Sequence, residues 1–93
     1  MRTDDEFARR LQRLSWDCRR GMKETEVLLT PFRAVCFDAL PRAQQEDFLD
    51  LLDCSDADLF AWFAGGERPV DARLAAIVDA VLAHAERAGN SPE

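Results

Sequence analysis

Apolar residues in this chain recur at intervals of three and four, and no stretch alternates as a strand would. That period of 3.6 confines the chain to helices packed on helices. The pattern is strongest near the C-terminus, where Leu74, Ile77, Val78, Val81, Leu82 and Ala85 fall on one face. Glycine and proline mark the breaks: Gly21, Pro41, the pair Gly65-Gly66, and Gly89. The expectation is an all-α fold, a single small five-helix bundle over residues 1–93, with 90–93 a frayed tail. A chain of 93 residues can build one domain and one core.

The first helix is expected from about Asp5 to Arg20, with Phe7, Leu11, Leu14 and Cys18 inward. Thr3 or Asp4 can cap it, and Asp5 and Glu6 suit its positive end. Arg9, Arg13, Trp16 and Arg20 then share the far side. The second helix is expected from about Met22 to Leu40, kinked at Pro31, with Leu28, Leu29, Phe32, Val35, Cys36 and Ala39 as its stripe. Pro41 opens a third helix from Arg42 to Asp53 with Phe48, Leu49, Leu51 and Leu52 inward. Ser55 caps a short fourth helix, Asp56 to Ala64, whose Leu59, Phe60, Trp62 and Phe63 read as core, and Asp71 caps the fifth. Phe32, Phe48, Leu52, Phe60, Ile77 and Val81 are expected to be buried.

Charge is unevenly spread. The net charge is −6, yet residues 1–23 hold seven Arg or Lys against four acids, while 24–93 hold five against fourteen. An acidic body disfavours nucleic acid, which demands many phosphate contacts, so a binder built on Arg9, Arg13, Arg19 and Arg20 is the weakest reading. A small basic patch on such a body suits one defined protein partner. Self-repulsion of the acidic body predicts a monomer when free.

Catalysis and metal binding lack their residues. His84 stands alone, reads as exposed and without a task, and leaves no Ser-His-Asp or Cys-His pairing. Cys18, Cys36 and Cys54 have no C-x-x-C spacing and read as small buried hydrophobes. Glu24 and Glu26, two apart on a helix, point away from each other and make no acid–base pair. No apolar run is long enough to span a membrane. Met-Arg-Thr-Asp-Asp-Glu has no signal or transit character, which predicts a bacterial cytoplasm.

The two helical patterns meet at Gly21, between Arg19-Arg20 and Glu24. Two readings of that corner stand. Gly21 can cap the second helix with Glu24 at its third position reaching back, and Arg20 can pair with Glu24. Alternatively the corner is a docking surface, with Trp16 and its arginines supplying the residue types that dominate interfaces. Trp16 lies off the Phe7 stripe, so either a later helix covers it or a partner does.

The run Arg13-Leu-Ser-Trp-Asp-Cys-Arg-Arg-Gly-Met-Lys-Glu-Thr-Glu-Val-Leu-Leu-Thr-Pro-Phe32 resembles the signature of the FAD assembly factors of succinate dehydrogenase and fumarate reductase. The likeness continues through Leu51-Leu52-Asp53-Cys54, Asp58-Leu59-Phe60-Ala61-Trp62 and the helix after Pro69, roughly residues 7 to 85. Glu24-Thr25-Glu26 and Cys36-Phe37-Asp38 depart from the usual pattern of that family without touching its motif. The resemblance implies a five-helix bundle that is not an enzyme. Such a protein binds the flavoprotein subunit and promotes covalent attachment of the FAD held there, while needing no cofactor of its own. It places the R-G-x-x-E motif on Arg20, Gly21 and Glu24, with Arg13, Trp16, Arg19 and Met22 as partner-binding neighbours. The alternative is a generic helical interaction module of adaptor or antitoxin type.

Overall fold

The structure, a computed structural model, describes residues 4–14 and 23–88. Among these residues it contains five α-helices and one 3-10 turn, and no strand. The helices are α1 (Asp4–Gln12), α2 (Lys23–Val35), α3 (Arg42–Leu52), α4 (Asp56–Phe63) and α5 (Ala72–Ala88). The core is a continuous apolar cluster to which every one of them contributes.

Phe48 of α3 sits at its centre, fully buried, with Phe32 of α2 at 5.4 Å and Phe37 at 5.6 Å between ring centroids. Tilted aromatic pairs at such distances add to simple area burial. Leu28 and Leu29 of α2, Leu51 and Leu52 of α3, Leu59 and Phe63 of α4, and Ile77, Val78 and Val81 of α5 close around them. Five of the six residues expected in the core are buried: Phe32, Phe48, Leu52, Ile77 and Val81.

Phe60 is the exception, at 39% exposure. In a helix as short as α4, Leu59 and Phe63, four apart, take the inward direction. Phe60 is then rotated about 100° from Leu59 and only brushes the bundle. Trp62, on the other flank, is half-buried against the core.

α2 runs through Pro31, as the unbroken phase of its stripe requires, but ends at Val35 and not at Leu40. The N–H of Cys36 closes the last α-helical bond to Phe32, and residues Phe37–Ala39 then wind as a 3-10 turn. That turn advances about 120° per residue, so the residues after Val35 leave the α-helical phase. Val35, expected inward, is 70% exposed, and Phe37 fills the core instead. The side chain of Gln45 donates to the Phe37 carbonyl at 2.9 Å and satisfies the turn.

α1 also stops early. Arg13 is a turn residue whose N–H bonds back to Arg10 at 3.2 Å, a tightened last turn, where an unbroken helix to Arg20 was expected. Residues 15–20 of that expected helix lie outside the described residues.

The caps follow the sequence. The Ser55 hydroxyl accepts from the Asp58 N–H at 3.1 Å, and Asp71 Oδ1 accepts from the Arg73 N–H at 2.8 Å. α4 ends where the Glu67 N–H returns to the Ala61 carbonyl at 2.9 Å, over Gly66 with φ +77°. A Cβ on Gly65 would stand 2.9 Å from the Ala61 oxygen, so both glycines are required by the turn. No helix among the described residues is long and apolar enough to cross a membrane.

Candidate functional site

Both ends of the corner are anchored to the core. On the N-terminal side Leu14 is almost fully buried, and on the C-terminal side Thr25 and Leu28 are. The segment 15–22 joins these anchors, and it contains Trp16, Arg19, Arg20, Gly21 and Met22, which lie outside the described residues. Arg13 and Glu24 flank it. Arg13 is exposed at the end of α1 and engaged in an interaction; Glu24 is half-buried in the first turn of α2. A carboxylate there meets the positive end of the helix dipole.

The outer face of α2 carries the corner onward. Lys23, Glu26, Val27, Thr30 and Pro31 line a groove of about 320 Å³. Their faces lie opposite Thr25, Leu29 and Phe32, which are buried. Pro31 brings no N–H, so the Val27 carbonyl lacks the helical donor it would otherwise have. A second groove, of about 390 Å³, runs between α3 and α5 and is lined by Gln44, Asp47, Arg73, Ala76, Ile77 and Ala80.

Ion pairs tie the elements that hold the corner. Arg10 of α1 reaches Asp50 on α3 at 3.2 Å and Asp53, just past the end of that helix, at 2.8 Å. Arg42 reaches Asp4 at 3.1 Å and Glu46 at 3.0 Å, and its guanidinium covers the Phe7 ring at 3.7 Å. Arg73 meets Asp71, Asp47 and Asp50 at 3.2, 3.1 and 3.6 Å. The hydrogen bonds from the Arg73 N–H and guanidinium hold the Asp71 carboxyl below its ordinary range. Arg68 forks onto Asp79 at 2.7 and 2.8 Å and lowers that carboxyl in the same way.

Arg10 was not singled out by spacing, because it reads as one more basic residue of the first helix. The signal available was its register: positions 7, 10, 11 and 14 share one helical face.

His84 differs from its expectation. It is only 8% exposed and meets Phe32 edge-on. α5 is apolar on a broad face, so a residue off the centre of its stripe is still covered by α2. Cys36 and Cys54 are free thiols, each half-buried and not fully enclosed, and the Cys54 thiol donates to the Asp50 carbonyl at 3.7 Å. Cys18 lies outside the described residues. No group of three His, Cys, Asp or Glu side chains among the described residues could hold a metal ion.

The fold and the two flanks of the corner define a small helical-bundle protein whose basic N-terminal quarter meets an acidic body. A family model described as the flavinator of succinate dehydrogenase matches residues 12–85, and the chain belongs to that family. It is 49% identical over 72 residues to an FAD assembly factor SdhE of Vibrio parahaemolyticus, covering 77% of this chain and 84% of the relative. The FAD assembly factor SdhE of Photobacterium profundum is 45% identical over 84 residues, covering 90% of this chain and 91% of the relative. A solution structure of a UPF0350 protein superposes with a TM-score of 0.69 at 43% identity, covering 95% of this chain and 89% of that one.

Proposed function

We propose that this protein promotes covalent attachment of FAD to the flavoprotein subunit of succinate dehydrogenase, or of the related fumarate reductase. The observation that carries the reading is the 45–49% identity, along 84–91% of their own length, to relatives named FAD assembly factors. The protein works as a binding partner and not as an enzyme, and holds no cofactor of its own. The bond-forming chemistry belongs to the FAD and the flavoprotein. This chain contributes orientation, holding the flavoprotein in the form in which its histidine meets the flavin.

The docking surface is the corner: Arg13, Trp16, Arg19, Arg20, Gly21, Met22 and Glu24. Leu14 and Thr25, buried on either side, support this reading because they fix both ends of the segment against the core. The chain acts as one domain, as a monomer when free, in the bacterial cytoplasm, and without nucleic acid; the excess of acids beyond residue 23 supports the last point.

The test is co-expression with a candidate flavoprotein subunit, followed by a denaturing gel read under ultraviolet light. Covalent flavin at the mass of the flavoprotein should depend on this chain. Equal fluorescence with and without it contradicts the proposal.

A further inference from the structure

α2 has two apolar faces. Leu28, Leu29 and Phe32 turn inward and are buried. Val27, Pro31 and Val35 follow one another at intervals of four on a second face. Val35 is 70% exposed, Val27 and Pro31 are half-buried, and the exposed Ala34 lies beside them. Glu24 precedes Val27 by three residues and Pro31 by seven, so the same face carries this carboxylate.

The fold makes little use of this face. No described element covers Val35. Val27 and Pro31 line the open groove of about 320 Å³, and the Val27 carbonyl between them lacks a helical donor because Pro31 has no N–H. Lys23 and Glu24, at the head of the stripe, make no ion pair with any described residue. Arg10, Arg42, Arg68 and Arg73, on the other elements, are all paired within the chain.

Size and continuity decide what the face accepts. From Val27 to Val35 the stripe runs about 12 Å. A stable interface needs about 800 Å² on each partner, far more than such a stripe offers. It is therefore too small to hold a second copy of this chain by itself, and suits a partner gripped at an adjoining surface as well. Glu24 joins the two, since it belongs to the proposed docking corner and shares the face of Val27, Pro31 and Val35.

We infer that the outer stripe of α2 extends the docking surface beyond the corner and seats an apolar segment of the flavoprotein subunit. Val27, Pro31 and Val35 bury that segment's side chains, and the Val27 carbonyl accepts from one of its backbone N–H groups. The inference rests on the proposed function for the identity of the partner.

The experiment measures the affinity of the full chain for a purified flavoprotein subunit carrying noncovalent FAD, beside the melting temperature of each variant. Val35→Glu should weaken binding about tenfold or more, because it sets a charge against apolar surface. Val70→Glu makes the same change at a fully exposed valine outside α2 and should bind as the parent does. Pro31→Ala returns a donor to the Val27 carbonyl and removes the ring. It should weaken binding about threefold or more with the melting temperature level or raised. If Val35→Glu lowers the melting temperature, Val35→Ser should still weaken binding in a folded protein. Parent-like affinity in Val35→Glu overturns the inference, as does equal weakening by Val35→Glu and Val70→Glu. So does a dimer of the parent chain, seen by light scattering, that Val35→Glu dissolves, because a second copy would then cover the stripe. Absence of binding by the parent chain refutes the proposed function and this occupant with it, which separates that failure from one confined to the stripe.

Discussion

His84 of α5 meets Phe32 of α2 nearly at right angles, with ring centroids 5.9 Å apart and an interplanar angle of 80°. The imidazole is therefore part of the joint between two helices and contributes through packing. Its truncation in His84→Ala should cost about 2 kcal/mol, the lower range for emptying a core site. Urea unfolding measures this. Flavinylation by the remaining folded protein should be unchanged, because this histidine packs the bundle and takes no part in the linkage.

Phe48 and Phe60 separate the core from its edge. Phe48 is enclosed by Phe32 and Phe37, and Phe48→Ala should cost about 3–5 kcal/mol, a large share of the stability of a small domain. Phe60 faces partly outward, and Phe60→Ala should stay within about 1 kcal/mol. Denaturant midpoints of the two variants at constant slope would check the contrast.

Acid sensitivity follows from two paired carboxylates. Asp79 beside Arg68 and Asp71 beside Arg73 both bind their proton less readily in the folded protein than in the unfolded chain. Their stabilising contribution is therefore present above the unfolded aspartate value, about 3.9, and is lost as pH falls through the lower folded value. The thermal midpoint should be level through neutral pH and decline in that acid range. Asp79→Asn and Asp71→Asn should each make the decline shallower. The effect is small because both pairs are exposed, and 1 M salt should reduce it further.

The helices themselves were legible because their signals are local. Ser55 with Asp58, Asp71 with Arg73, and the Gly65-Gly66 stop each act within a few residues of the chain. The 3.6 period of α5 and the phase kept through Pro31 needed no partner to be read. What was missed depends on packing between distant segments. The burial of Phe37 belongs to a 3-10 turn that Gln45 stabilises from the next helix. The burial of His84 depends on α2, and the pairing of Arg10 depends on carboxylates some forty residues away. The proposed site was named in the sequence by its motif, Arg20-Gly21 and Glu24, and of its residues only Arg13 and Glu24 fall within the described residues.

The most direct test of the account is Gly21→Arg, measured twice on the same preparation: for helical content and melting temperature, and for covalent flavin on a co-expressed flavoprotein subunit. A cap or turn glycine with no other task should tolerate a replacement at a cost of about 1 kcal/mol or less and leave function intact. A docking surface that includes Gly21 should not tolerate a bulky side chain at that position. The account predicts a folded helical protein with a small change in melting temperature and a large fall in flavinylation, with Arg20→Ala and Glu24→Ala following in the same direction more mildly. Full flavinylation by a folded Gly21→Arg protein would contradict it and return Arg20, Gly21 and Glu24 to a capping role alone.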